Sequence, residues 1–479
     1  MENKTGKFLV GYSIQDITPE EPMPLGGYGA CWFRISNRIL DRLYIQCVAM
    51  TDADGETLLL CTYDNENVRD EIYLRALAYF REKYGIDAAH FHINASHSES
   101  TPETLVATER CPEIIPYKEF VIRQIIAAGD AAIRDRKPAR LEYGTTHTWN
   151  LNFVRHVFFD SGEAIGDAHK KSKDGNIVQH ASKVDNAMLA IKIVRENEPD
   201  LVLINWRSHT TFTSGPNKLD VSSDFVGPFR EIAKERFGCD LMFFQGCAGN
   251  VNPKSYIRSE ERTRDYKEFA KFLVEHLQEI YDRMTPVEAG PIRAYQVMVT
   301  AKVNHDEDCK IDDAWRVRKM LDNGEDREVC HREALRCGMS SVHHAGGIIR
   351  RYTAPPTFDY PVSVFAVGEL AFAAVQFEMF DSLGRYVREN SPYAHTFVMG
   401  FTDHFTLGYM PSAYAYEYGC YEAENCILSI GSGERCAAVM LESLIHMKYH
   451  YGEDNAPRLG IERPKDAKDL EPEAFLNCI

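Results

Sequence analysis

The sequence contains no Cys-x-x-Cys pair, no apolar run near the roughly 18 residues needed to cross a bilayer, and no Pro/Gly/Ser-rich linker. Its thirteen cysteines are scattered and odd in number. That usage argues against a secreted disulfide framework and against a zinc ribbon. Basic residues are in deficit, 54 against 71 acidic ones, leaving a net charge of −17. A diffuse acidic surface excludes non-specific nucleic-acid binding and gives no reason to expect stable membrane insertion. The opening Met1–Lys7 leads only into Phe8-Leu9-Val10, too brief for a signal-peptide core, so a cytoplasmic location is expected. Neither an internal repeat nor a low-complexity tract is visible, and self-association is left open.

What is present is ordinary globular material, 44% hydrophobic and 26% charged. Strand-like runs occur at Leu43–Met50, Thr57–Tyr63, Phe91–Ala95, Ala187–Val194, Leu201–Trp206, Leu241–Phe244, Ala294–Val303, Val362–Val367 and Ala371–Val375. Asp52-Ala53-Asp54-Gly55 separates the first two as a hairpin turn would. Helical spacing marks Glu71–Tyr84, Tyr117–Ile133 (just after Pro116) and Asp265–Arg283. His276 lies on the last stripe and reads as a half-buried helix residue. Alternation of this kind predicts an α/β fold, a mixed β-sheet core with flanking helices and a site on strand-end loops. Residues 156–185 and 304–358 read as irregular, either covering a cleft or forming solvated insertions.

Two histidines stand just past strand-like runs, His97 after Phe91–Ala95 and His209 after Leu201–Trp206. A strand end holds a side chain rigidly yet leaves it open to a cleft, and imidazoles with nearby carboxylates are zinc-type donors. Taken alone, a single histidine near a strand end is usually a hydrogen-bonded loop residue. The segment from Gln245 to Pro253 places Gly246 and Gly249 where backbone amides can approach a ligand. Cys247 is there a thiol nucleophile or an inert buried cysteine. Glu378 sits among apolar neighbours at a strand exit and needs a cation opposite it, a metal or an arginine. Tyr409 follows in Gly408-Tyr409-Met410-Pro411, before the aromatic stretch ending Tyr418-Gly419-Cys420-Tyr421-Glu422.

Taken in order, these segments resemble the catalytic domain of the neutral/alkaline non-lysosomal ceramidase family. The resemblance begins with Asp16-Ile17-Thr18-Pro19 and Gly26-Gly27-Tyr28-Gly29 and continues through Asp41-Arg42-Leu43-Tyr44. It then runs through Ala95–Pro102, Asn205–His209 and Gln245–Pro253. It implies one ceramidase-like catalytic domain over residues 1–479, without the family's C-terminal β-domain. It also implies one zinc ion per chain, or another divalent metal, on His97, His209, Glu378 and Tyr409. The departures are informative: the family's second histidine in the first box is Glu99 here, its catalytic serine aligns with Gly246, and a glycine-loop aspartate is Asn250. Arg155, in Asn152-Phe153-Val154-Arg155-His156, stands near the place of a family arginine.

The expected activity is therefore hydrolysis of a C–N amide bond in an N-acyl substrate other than ceramide, by metal-activated water. Glu99 is the expected general base, with Arg155 and the amides around Gly246–Gly249 holding an oxyanion. Glu99 could instead be a metal ligand. Alternatives are a zinc esterase or phosphoester hydrolase on the same site, a catalytically impaired small-ligand binder, and a metal-free hydrolase using the Cys247 thiol.

Overall fold

The computed structural model describes residues 6–27, 34–104, 111–161, 164–165, 177–215, 218–254, 256–257, 262–263, 265–404 and 408–452. Tyr28 and Gly29 of the glycine-rich box lie outside these, as does part of the 156–185 stretch.

The fold is mixed α/β, and it is built three times over. Each unit has three antiparallel strands, a helix, a fourth strand parallel to the third, and a second helix. The first unit runs through strands Leu9–Asp16, Tyr44–Thr51 and Thr57–Tyr63, helix Asp70–Tyr84, strand Phe91–Ala95 and helix Ile114–Arg134. The second uses Lys137–His147, Ala187–Arg195, Leu201–Trp206, Val226–Phe237, Asp240–Gln245 and Tyr266–Tyr281. The third uses Ile292–Lys302, Thr357–Val367, Leu370–Ala374, Asp381–Asn390, His395–Met399 and Ser432–Tyr449. The expectation of no internal repeat is thus corrected. Each unit keeps the pattern of buried faces while its side chains differ, and only topology exposes the repetition.

The first two units join edge to edge where Leu9 and Val10 pair with Pro138 and Lys137, giving a nine-stranded sheet completed by Thr285–Val287. The third unit forms its own four-stranded sheet. One face of every unit points inward: Val48 and Leu60, Leu189 and Phe244, and Phe365 and Phe397 share one central cluster. The opposite face is covered by that unit's two helices, each with its own cluster. Burying apolar side chains on both faces explains why the parallel strands read as continuous apolar runs rather than alternating ones.

Because the third and fourth strands of each unit are parallel, their C-terminal ends emerge on one side. The connections after the first strands, residues 17–43, 148–186 and 303–356, emerge there too. Buried amides stitch these ends together. Asn94 Nδ2 donates to the carbonyl of Gly400 at 2.7 Å, the amide N–H of Gln245 donates to Asn94 Oδ1 at 2.6 Å, and Gln245 Nε2 donates to the carbonyls of Ser96 and Ser208 at 3.1 and 2.8 Å. Each of these side chains bonds across two units, so the strand ends hold a fixed relative position.

Two local expectations change. The stretch 304–358 holds helices Ile311–Asp322, Arg327–Arg336 and Val342–Thr353 around a small apolar centre of their own. The helix after Pro116 starts earlier, at Ile114, with proline in the first turn, where its missing N–H costs no helical bond. Among the described residues no helix is long and apolar enough to cross a membrane.

Candidate metal centre

His97 lies two residues past the fourth strand of the first unit, with φ = 63°. A left-handed non-glycine backbone costs of order 1–3 kcal/mol and must be held by its surroundings. Here the His97 amide donates to the carbonyl of Asn65 at 2.9 Å, and Thr210 Oγ1 donates to the His97 carbonyl. Its Nδ1 faces the Glu66 carbonyl at 2.8 Å. His209, three residues past the third strand of the second unit, is held the same way, with Nδ1 3.1 Å from the Val251 carbonyl. With Nδ1 donating to a backbone carbonyl, Nε2 of each ring is the nitrogen left to bind something.

Both Nε2 atoms face the same carboxylate. Glu378 Oε2 stands 3.4 Å from His97 Nε2 and 3.3 Å from His209 Nε2. Neither His209 Nε2 nor Glu378 Oε2 has a hydrogen-bond partner, though both are buried. Two donors held about 2.0–2.2 Å from a common ion lie roughly 3.0–3.5 Å apart, at the octahedral or the tetrahedral angle. The spacing fits ligands around a cation as well as the ion pairs these atoms form, and buried polar atoms without a hydrogen-bond partner suit a metal. The electrostatics agree. Burial pulls the His97 imidazole pKa down, yet Glu378, Glu99 and Glu66 overcome it and lift the ring to about 9. Burial likewise pushes Glu378 up, but the two histidines hold it far below the usual carboxylate range. The cluster calls for positive charge at its centre.

Tyr409 pairs with Glu378 in a two-residue parallel bridge, which places both side chains on one side. Burial, then the charge of Glu378, raises its phenol well above the ordinary value. Glu99 offers a carboxylate oxygen such that it and one ring nitrogen each from His97 and His209 all lie within 4.8 Å of one another. The turn at Gly26 and Gly27 explains how acidic groups fit so closely. A Cβ on Gly26 would stand 2.6 Å from Glu66 Oε2, and one on Gly27 would stand 3.0 Å from Glu99 Cβ.

The remaining sequence candidates are placed differently. Arg155 is a neighbour of Tyr409: its Nη2 donates to Tyr409 Oη at 3.3 Å and its guanidinium lies over the tyrosine ring. Glu422 clamps it from behind, accepting from Nε at 2.5 Å. Glu422 is fully buried and also meets His156 Nε2 at 2.8 Å. Burial raises its pKa, but Arg155 and His156 bring it down to about 2.

Two of the amides expected for an oxyanion are already used. The Gly246 N–H donates to the Trp206 carbonyl at 2.7 Å and that of Gly249 to Met379 at 2.9 Å. Nor is Cys247 a poised nucleophile. Its sulfur is buried against Gly384, where an added Cβ would stand 2.6 Å away, and burial drives the thiol pKa up. Asn250 is structural, bonding Asp381 through both atoms of its amide.

Sequence reasoning missed Glu66 and Glu422. The repeat would have found the first, because Glu66 follows the third strand of its unit by three residues, as His209 does. Glu422 carries no comparable signal, since it lies on the short helix Tyr421–Asn425 outside the repeated elements.

No family model and no curated protein matches the sequence. The fold is nonetheless similar to solved structures. One is the neutral ceramidase from Pseudomonas aeruginosa, with a TM-score of 0.69 at 16% identity over 92% of this chain and 74% of that one. Another is a ceramidase complexed with C2, also at TM-score 0.69, with 15% identity over 94% and 76% of the two chains. The chain thus has a neutral-ceramidase-like fold.

Proposed function

We propose that this chain is a metal-dependent hydrolase cleaving the C–N bond of an N-acyl substrate other than ceramide. One observation carries the reading: two buried imidazoles present Nε2 to a single carboxylate oxygen at 3.4 and 3.3 Å, with no hydrogen bond made. The solved neighbours are ceramidases by name, and ceramide is an N-acyl amide, which supports the reaction class. The altered residues, Glu99 and Gly246, support a different substrate.

His97, His209, Glu378 and Tyr409 would hold the ion, zinc being the reference case. A divalent cation bound there supplies Lewis acidity and lowers the pKa of a water to about 7. A carboxylate beside the ion, Glu99 or Glu66, would take a proton from the attacking water and return it to the leaving nitrogen. Arg155 orients the Tyr409 phenol through its Nη2, and Glu422 keeps the guanidinium in place. His97 comes from the first unit, His209 from the second, and Glu378 and Tyr409 from the third, so we treat residues 1–479 as one catalytic domain.

The test is elemental analysis of protein purified without added metal, beside a His97→Ala/His209→Ala double variant. About one divalent ion per wild-type chain, lost in the variant, is the expected result. Chelator-sensitive cleavage of short-chain amides in preference to esters would complete it. A wild-type chain that holds no ion and takes up none on titration would sink the reading.

A further inference from the structure

We propose that Glu99 is itself a metal ligand, so that the centre favours a six-coordinate ion such as Mn²⁺ or Fe²⁺ over four-coordinate zinc. The inference rests on the metal-centre reading above and concerns which ion this chain's residues are built for.

His97, His209, Glu378 and Tyr409 already supply four protein atoms. Four protein ligands close a tetrahedral site, whereas a catalytic zinc usually keeps three and leaves the fourth position to water. An ion held by all four needs a higher coordination number to keep a place for water. A fifth donor, here an oxygen, would bring a six-coordinate ion to five protein ligands and leave one position open. Three oxygens, two imidazole nitrogens and no thiolate form a hard set, suited to manganese or iron.

Glu99 stands beside the two histidines that would hold the ion. Its carboxylate oxygen lies within 4.8 Å of one ring nitrogen of each histidine. The main chain around it is pinned: Ser98 Oγ donates to the Ser222 carbonyl at 2.8 Å, and Arg34 Nη2 donates to the Glu99 carbonyl at 3.2 Å. Gly27 closes the far side, since a Cβ there would stand 3.3 Å from Glu99 Oε2. Among the described residues, none donates a hydrogen bond to the carboxylate itself. The independent sign of a ligand is His209, 2% exposed, whose Nε2 has no partner and points into the same space. With Glu99 on the ion, Glu66 is the wall carboxylate left to handle protons.

The experiment titrates metal-stripped full-length chain with MnCl₂ and, separately, ZnCl₂. Binding is followed by calorimetry, and bound Mn²⁺ by electron paramagnetic resonance. Wild type is compared with Glu99→Gln and Glu99→His, each checked by circular dichroism for native folding. Loss of an ordered ligand should weaken Mn²⁺ binding by about tenfold or more in Glu99→Gln, while zinc affinity changes less than about threefold. Glu99→His should move preference toward zinc. X-ray absorption of the Mn²⁺-loaded wild type should show five or six nitrogen and oxygen neighbours. Equal Mn²⁺ affinity in wild type and Glu99→Gln, or a four-coordinate ion in the wild type, overturns the proposal while leaving the metal centre intact. If wild type binds neither ion, the metal-centre reading falls and this one falls with it.

Discussion

Replacing Gly249 by alanine should damage the centre without touching any of its candidate ligands. A Cβ at this position would stand 2.1 Å from the Glu378 carbonyl oxygen, 2.8 Å from its carbon and 3.2 Å from the Met379 oxygen. All three are backbone atoms and cannot rotate away. Ordinary contact needs about 3.5 Å, so the loop and the Glu378–Met379 strand must separate by roughly 1.4 Å. The move breaks the bond from the Gly249 N–H to the Met379 carbonyl, worth about 1 kcal/mol. Overpacking adds about 1–3 kcal/mol. Displacing Glu378 by that distance should also weaken metal affinity by about 10–100-fold. Gly246→Ala is the control. Its nearest contacts are at 3.1 Å, and two of the three are side-chain atoms of Arg207, so a shift of tenths of an ångström suffices. Calorimetric metal titration and denaturant unfolding of both variants decide the matter. Native-like metal affinity in Gly249→Ala, or a larger loss in Gly246→Ala, would refute the reasoning.

Two further outcomes are expected. The hydrogen bond from His344 holds Glu307 down at about 2 against burial, with Lys310 and Arg351 assisting. A depressed carboxylate adds stability that is complete above its unfolded value near 4.3 and is lost as pH falls toward 2. Full linkage over that window is about 3 kcal/mol, and with solvent screening of the partly exposed Glu307 helix Val342–Thr353 should lose about 2 kcal/mol of protection. Hydrogen exchange would show this slope in wild type and a flatter one in Glu307→Gln; identical slopes would dismiss the account. Alkylation under native conditions should label exposed Cys309 but spare Cys247 and leave hydrolysis intact. Inactivation that tracks modification of Cys247 would restore the thiol mechanism.

Apolar runs made the parallel strands easy to read. Thr57–Tyr63, Phe91–Ala95 and Leu201–Trp206 appear with the expected bounds, because burial on both faces writes itself directly into residue type. Leu9–Asp16 and Lys137–His147 went unseen because polar and small residues interrupt their apolar positions. His97 and His209 were legible as strand-end residues, whereas Glu378 and Tyr409 needed the family resemblance. Glu378 offered two physical readings, a metal or an arginine, and the partners facing it are the two histidines. The amides near Gly246 were misjudged for a general reason. Glycine shows that a backbone approaches something closely, not that the something is a ligand; here it is a neighbouring strand.

The threefold internal repeat has a consequence for how such a centre can be made. Three identical subunits around a symmetry axis must offer whatever meets on that axis in sets of three. A trimer of this unit could place three histidines, or three glutamates, around an ion, but never two imidazoles, a carboxylate and a phenol. Joining the copies in one polypeptide removes that constraint. Each strand end can then mutate alone while the shared core still enforces the meeting point. Glu66, His209 and Glu378 are the trace of that freedom, dissimilar groups three or four residues past the third strand of their units.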